Sequence, residues 1–358
     1  NQFMIHNFLK FLKGSVITKF TSIIIFLVVS SKLSLNDFSI YTIFFASIEV
    51  LIVIVSLGYP SYILRIKNEF FSKETLIQSN NFTIINSCLL FVFLKLSYKY
   101  LGINSITYDY IFNFLEYFII ILLNKGIINN YRNYFITVKN ASMNYTLDKA
   151  CFIIDVILLS IILFIGSLEL DKLIFLLATS NFLKLFFLLV INPKLAFRFP
   201  KYNLKSAPFF IKTLIGMISI YYSRFYLEAT ANYDDLAIYS FYFLIVSQGI
   251  NILSEPFSKA FIPDFRDNIE KIKKGKIKEG IKKYLEVSLV IIIITGLIIL
   301  TKNFFDINIP FVQIQYQENL YVLLILLGAS LISNVKMPYS IWMYLEKKGT
   351  DRNLILFS

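Results

Sequence analysis

The stretch DFSIYT at residues 37–42 recurs almost unchanged as DLAIYS at residues 235–240, an offset of 198 residues. Each copy precedes a long apolar run that ends near a proline, Pro60 after the first copy and Pro256 and Pro263 after the second. In so hydrophobic a chain, a repeat of long period predicts two similar helical bundles that arose by duplication. Internal repeats of this kind are the usual architecture of secondary transporters.

The composition indicates an integral membrane protein. The 358 residues are 57% hydrophobic and their mean hydropathy is +0.67, whereas globular domains are roughly 45–50% apolar. A helix needs about 20 apolar residues to cross a bilayer, and the chain offers ten such runs. They lie near residues 14–31, 39–57, 80–97, 108–124, 150–166, 172–191, 208–226, 236–257, 284–301 and 319–336.

The predicted fold is therefore an all-α integral membrane protein with two pseudo-symmetric bundles of transmembrane helices. Residues 1–192 form an N-terminal bundle of six spans, and residues 193–207 form a basic cytoplasmic linker. Residues 208–358 form a C-terminal bundle of four spans and the start of a fifth. Aligned on the repeat, the two halves predict twelve spans, so we expect two further spans beyond Ser358.

The positions of the positive charges predict the orientation. With the N-terminus in the cytoplasm, 24 Lys and Arg residues lie in cytoplasmic segments and 6 in outer segments, as the positive-inside rule requires. Because the net charge of +12 concentrates in loops at one membrane surface, it does not indicate a nucleic-acid partner.

The residue types that most enzymes and metal sites need are scarce. His6 is the single histidine, and the two cysteines, Cys88 and Cys151, lie inside apolar runs. No Walker-type phosphate loop is present. We therefore predict no catalytic residue, no metal site and no cofactor.

Polar side chains form stripes at helical spacing on four of the predicted spans. These stripes are Ser15, Thr18, Lys19 and Ser22; Thr42, Glu49 and Ser56; Ser219, Tyr222, Ser223 and Tyr226; and Gln248, Asn251, Glu255, Ser258 and Lys259. A single stripe of this kind usually joins helices by hydrogen bonds. Four stripes on the first two helices of each half favour a central polar cavity. Lysine suits a phosphate ligand, and tyrosine rings pack against sugars.

Carboxylates inside the spans have two alternative interpretations. Glu49, Glu116, Asp155 and Glu255 are candidates for a coupling H⁺ or Na⁺, since burial raises the pKa of a carboxyl group. Alternatively, Glu49 pairs with Lys19 on the neighbouring helix.

Several motifs along almost the whole chain are similar to those of one transporter family. They are residues 13–15 with 35–41, Leu57-Gly58-Tyr59-Pro60 with Arg65, residues 131–135, Leu147-Asp148-Lys149, residues 235–239, and Glu255-Pro256 with Pro263. The pattern resembles the Wzx-type flippases of polysaccharide biosynthesis, in the multidrug/oligosaccharidyl-lipid/polysaccharide exporter superfamily.

The resemblance implies a flippase that moves an undecaprenyl-diphosphate-linked oligosaccharide across the bacterial cytoplasmic membrane by alternating access, for O-antigen or capsule biosynthesis. It implies that Lys19 and Arg224 attract the diphosphate. The implied cavity also contains Ser15, Ser22, Tyr222, Tyr226, Gln248 and Asn251. The implied partners are membrane lipid, a coupling H⁺ or Na⁺, and polysaccharide polymerase and chain-length proteins.

Two other functions stay open from the sequence. A multidrug exporter of the same superfamily would have the same bundles but carry cationic drugs through a more acidic cavity. A membrane-embedded polymerase or ligase of surface glycans would lack the 198-residue repeat.

Overall fold

The computed structural model describes residues 2–66, 69–101, 106–138, 140–192, 206–230, 232–268 and 320–335. Within these ranges the chain is helical and contains no strand. The helices are α1 (Gln2–Lys32), α2 (Leu35–Ser56), α3 (Tyr59–Ile63), α4 (Glu69–Leu101), α5 (Ile106–Asn113), α6 (Leu115–Thr137), α7 (Ala141–Phe164), α8 (Leu170–Ile191), α9 (Ala207–Ala229), α10 (Tyr233–Asn268) and α11 (Leu320–Val335).

Among the described residues, four helical segments are long and apolar enough to cross a membrane. They are Lys10–Lys32, Leu35–Ser56, Phe71–Tyr98 and Leu170–Ile191. The predicted all-helical class with apolar, membrane-length helices is thus confirmed. The count of ten spans and the pseudo-symmetry stay predictions, and the predicted span 284–301 lies outside the described residues.

Several helices are longer than the predicted spans. A loop is predicted between residues 125 and 149, but α6 continues to Thr137 and α7 begins at Ala141. Asn140 caps α7 by accepting a hydrogen bond from the Met143 backbone N–H at 3.0 Å. The loop prediction is wrong because low hydropathy was interpreted as a loop. The second half of α6 and the start of α7 are polar, but much of that polar surface is buried.

The helices of the segment 33–237 bury polar side chains and expose large apolar ones. On α4, Ser79 and Thr83 are buried, whereas Phe93 is exposed. On α7, Asp155 is buried and Phe164 is 90% exposed. A bundle in water has the opposite arrangement, so this distribution fits helices whose solvent is lipid.

The chain forms two compact units, one of Leu33–Ala237 and one of Asn1–Lys32 with Ile238–Ser358. The first helix therefore groups with residues after position 237, not with the helices that follow it directly. The predicted linker 193–207 lies outside the described residues except for its last two. The predicted bundle boundaries at residues 1–192 and 208–358 stay a prediction.

Both copies of the opening repeat begin a long helix with the same side-chain cap. Ser34 Oγ accepts from the Asp37 backbone N–H at 3.1 Å and donates to the Asp37 carboxylate at 2.8 Å. In the second copy, Asn232 Oδ1 accepts from the Asp235 N–H at 3.2 Å, and its amide donates to the Asp235 carboxylate. Such reciprocal caps satisfy backbone donors at helix starts. The first helical residues, Leu35 of α2 and Tyr233 of α10, are also 198 positions apart.

The residues after each cap pack in the same way. Phe38 and its counterpart Leu236 are both fully buried. Tyr41 contacts Phe45 with ring centroids 4.9 Å apart, and Tyr239 lies 6.0 Å from Phe243. The repeat thus has the same local structure in both copies, which supports the predicted duplication.

A left-handed turn ends α2 and starts α3. Leu57 has φ 50° and Gly58 has φ 73°. A Cβ on Gly58 would lie 2.4 Å from the Phe210 backbone nitrogen of α9. Glycine is therefore required both by the backbone conformation and by the close approach of α9.

We predict that Gly58→Ala lowers the free energy of unfolding by about 2–4 kcal/mol, because it adds left-handed strain to overpacking. Gly216→Ala on α9 is the control, since its Cβ meets no atom within 4 Å. Thermal unfolding of both variants in detergent tests this, and equal midpoints would contradict the packing at Gly58.

The predicted orientation is testable at two exposed connections. In a background in which Cys88 and Cys151 are replaced by alanine, Ser167→Cys lies between α7 and α8, and Asn140→Cys between α6 and α7. We expect a membrane-impermeant maleimide to label Ser167→Cys in intact cells, and Asn140→Cys only after permeabilisation. The reverse pattern would place the N-terminus outside.

Candidate functional site

An ion pair joins α1 to α10 within the unit of Asn1–Lys32 and Ile238–Ser358. Lys19 Nζ lies 3.1 Å from Glu255 Oε2, and the two side chains are 23% and 32% exposed. Phe26 and Phe241 connect the same two helices, with ring centroids 5.7 Å apart. The pair is thus held between helices but is not sealed from solvent.

Further ion pairs among the described residues connect helices within the segment 33–237. Glu49 of α2 accepts from Lys125 of α6 at 2.8 Å. Arg132 of α6 donates to Asp148 of α7 at 3.1 Å, and Asn144 donates to the other Asp148 oxygen at 3.0 Å. The third pair, between Lys184 of α8 and Asp155 of α7, is the most enclosed, with side chains 16% and 12% exposed.

The structure gives a lysine partner to three of the four carboxylates proposed to bind a coupling ion. Glu49, Asp155 and Glu255 are paired, whereas Glu116 lies exposed in the first turn of α6. Lys19 and Glu49 belong to different units, so the alternative pairing of Glu49 with Lys19 stays a prediction. Lys125 was missed as the partner of Glu49 since it fell in a predicted loop.

The predicted cavity residues of α9 lie on opposite faces of that helix. Arg224 is 2% exposed, and its guanidinium lies 5.2 Å from the centroid of the Tyr221 ring. Tyr221 also interacts electrostatically with Glu49 of α2. Tyr222 and Tyr226 are 62% and 57% exposed and lie 6.2 Å apart. Positions 222 and 224 differ by about 200° around a helix, which explains the separation.

The remaining predicted cavity residues belong to α1 and α10. Ser15 is buried, and its hydroxyl has no hydrogen-bond partner among the described residues. Ser22 donates to the Thr18 carbonyl at 2.8 Å. Gln248 is half-buried, and its Oε1 has no partner in the described part of the chain. Asn251 lies in α10, but its side chain is outside the described residues.

The first two helices of each repeat copy pair crosswise. Within one unit α1 contacts α10, as described above. Within the other, α2 and the following α3 pack on α9, where Ser61 and Thr213 form a hydrogen bond of 3.4 Å. A shift of 198 residues carries the positions of α1 onto α9 and those of α2 onto α10. Under the repeat, the α1–α10 pair is therefore equivalent to the α2–α9 pair.

Sequence analysis missed a buried polar stripe on α4. It consists of Ser72, Thr75, Ser79, Thr83 and Ser87. The stripe was missed because the predicted third span began at residue 80. The signal in the sequence is the recurrence of Ser and Thr at every third or fourth position.

Comparisons of the chain with protein-family models, with curated proteins and with solved structures found no match. The family resemblance seen in the sequence therefore stays a prediction. Among the described residues no group of three or more His, Cys, Asp or Glu side chains is placed to hold a metal ion, and the prediction of no metal or cofactor likewise stays a prediction.

We predict that Asp155→Ala lowers the free energy of unfolding by about 3–5 kcal/mol, because it leaves Lys184 enclosed without a carboxylate. The double variant Asp155→Leu with Lys184→Met removes both charges and is expected to recover most of that loss. Glu169→Ala breaks the exposed pair with Lys172 and should cost less than about 1 kcal/mol. Unfolding by SDS titration measures all three. A double variant as unstable as Asp155→Ala would contradict this interpretation.

Proposed function

We propose that the protein is a flippase for an undecaprenyl-diphosphate-linked oligosaccharide, working by alternating access in the bacterial cytoplasmic membrane for surface-polysaccharide biosynthesis. The observation that carries the proposal is the crosswise pairing of α1 with α10 and of α2 with α9. These are the four helices whose polar stripes were predicted to line the path of the substrate.

The Lys19–Glu255 pair supports a water-accessible path. A charge at the centre of a membrane helix costs about 2.5–3.5 kcal/mol unless it has a partner or faces a hydrated cavity. The Lys19–Glu255 pair has its partner at 3.1 Å, and the two side chains are about a quarter to a third exposed. In this proposal the exposed side of the pair faces the hydrated path, so the lysine changes partners without entering lipid.

The proposed mechanism follows from that exchange. The substrate diphosphate replaces Glu255 as the partner of Lys19, because a phosphate attracts an ammonium group at least as strongly as a carboxylate does. Glu255 then loses its countercharge, so it takes up the coupling H⁺ or Na⁺. Substrate and ion would thus be linked through one side chain. In this proposal Arg224 supplies a second cation, and the exposed rings of Tyr222 and Tyr226 contact sugar.

The same ion pairs disfavour the multidrug exporter. Glu49, Asp155 and Glu255 each have a lysine partner, which reduces their attraction for a cationic drug. For a polymerase or ligase, no observation on the described residues offers support. In this proposal the N-terminus lies in the cytoplasm, and the partners are the polysaccharide polymerase and chain-length proteins.

Complementation of a bacterial strain that lacks its flippase tests the proposal. We expect the native gene to restore surface polysaccharide and to clear the accumulated lipid-linked repeat units. Lys19→Ala and Arg224→Ala should each reduce this clearance at least about tenfold, which corresponds to roughly 1.4 kcal/mol. Lys172→Ala is the matched control, because Lys172 forms an exposed pair with Glu169.

Equal membrane amounts of each variant, measured by immunoblotting, exclude an effect of folding. Normal polysaccharide with both Lys19→Ala and Arg224→Ala would refute the cationic path. Failure of the wild type to clear lipid-linked repeat units, together with resistance to cationic drugs, would favour the multidrug exporter.

A further inference from the structure

Helices α4 and α6 meet along a seam of buried polar side chains that the proposed transport path does not use. Asn130 of α6 donates to Asn80 Oδ1 at 3.0 Å and to Thr83 Oγ1 at 3.2 Å. Thr83 in turn donates to the Ser79 carbonyl at 2.8 Å. All four side chains are at most 1% exposed. We call these residues, with Ser87 one turn further along α4, the α4–α6 seam.

The two helices approach closely at this seam. A Cβ on Gly126 would lie 2.7 Å from Thr83 Cγ2, so glycine at position 126 lets α6 lie against α4. From Ser79 to Ser87 the seam extends over eight residues, about 12 Å of helix. That length is more than a third of the roughly 30 Å thickness of a membrane interior.

Several polar atoms at the seam have no hydrogen-bond partner in the described part of the chain. They are Ser79 Oγ, Ser87 Oγ and Asn130 Oδ1, and the hydroxyl of Tyr131, the residue after Asn130, likewise has none. A buried polar group without a partner costs about 1–3 kcal/mol. One such atom is tolerable, but three along one interface require a ligand that both donates and accepts hydrogen bonds.

Water is the ligand that fits these groups. Hydroxyl groups donate and accept, whereas Asn130 Oδ1 only accepts, and a water molecule satisfies both kinds of group. A bound cation would meet only oxygen acceptors, and none of the five seam residues is a carboxylate. The two buried acids of α7, Asp148 and Asp155, are already paired with Arg132 and Lys184.

We propose that the α4–α6 seam binds internal water molecules on either side of the close contact between Gly126 and Thr83, within the apolar bundle of residues 33–237. These waters satisfy the seam's unpartnered hydroxyl and carbonyl oxygens. At the contact between α4 and α6, hydrogen bonds between protein groups can then exchange with hydrogen bonds to water. The inference does not depend on which substrate the protein carries.

Radiolytic hydroxyl-radical footprinting read by mass spectrometry tests the proposal, because radicals formed from bound water label the side chains beside it. Tyr131 is the reporter: it is fully buried and packs in one cluster with Leu76, one turn before Asn80. In the full chain in lipid nanodiscs, we expect Tyr131 to be labelled at a rate within about threefold of the exposed Tyr222, although burial alone would leave it unlabelled.

Two variants remove polar groups from the seam with little change of shape. Thr83→Val and Asn130→Leu should each lower Tyr131 labelling at least about fivefold, since the site loses partners that hold water. Thr83→Ser keeps the hydroxyl and should retain labelling. Thr179→Val is the matched control, because Thr179 makes the same bond to its own helix, to the Phe175 carbonyl at 3.0 Å, on an exposed face.

Each other outcome overturns the proposal. Unlabelled Tyr131 in the wild type would mean a dry seam. Labelling that persists in both Thr83→Val and Asn130→Leu would place the water elsewhere. Saturable protection of Tyr131 when sodium replaces choline would mean that the seam holds a cation. Thr83→Ser separates these effects from misfolding, and none of the measurements requires flippase activity.

Discussion

A charged or polar group inside an apolar helix bundle must have a partner, and this constraint organises the described structure. Lipid offers no hydrogen bonds, so a buried carboxylate, ammonium or amide group needs a partner on another helix or in water. The pairs Glu49–Lys125, Arg132–Asp148 and Asp155–Lys184 connect α2, α6, α7 and α8 in this way. Apolar packing between lipid-facing helices discriminates little among arrangements. The polar pairs therefore decide which helices are neighbours.

The sequence predicts the all-helical class of the fold well. An apolar content of 57% and helix-length apolar runs are enough to predict membrane helices, and the Asp37 and Asp235 motifs both begin helices. Helix ends are predicted poorly, for a physical reason. Hydropathy treats Asn130 as an exposed loop residue, yet it is buried in α6. In a membrane protein, a polar residue marks the interior of a bundle as readily as it marks a loop.

The site residues show the same limit in a sharper form. A stripe on one helix can be derived from helical spacing, and Lys19, Ser22 and Glu255 were found in that way. Which stripes meet cannot be derived, because that depends on the packing of helices far apart in the chain. The pairing of Lys19 with a residue 236 positions later has no local signal. Likewise, Arg224 and Tyr222 are two positions apart in sequence but face opposite sides of α9.

The ion pairs differ in exposure, and that difference separates structural pairs from exchangeable ones. Lys184 and Asp155 are nearly enclosed, so breaking this pair would strand a charge where no other partner can reach it. Lys19 and Glu255 are partly exposed, so an anion can replace Glu255 as the partner of Lys19 more readily than it could in the enclosed pair. The proposed transport function needs both kinds of pair, since some helices must stay together while others exchange contacts. Among the described pairs, Lys19–Glu255 joins the first helix of one repeat copy to the second helix of the other. In the proposed mechanism, the substrate acts at this contact because it is the exchangeable one.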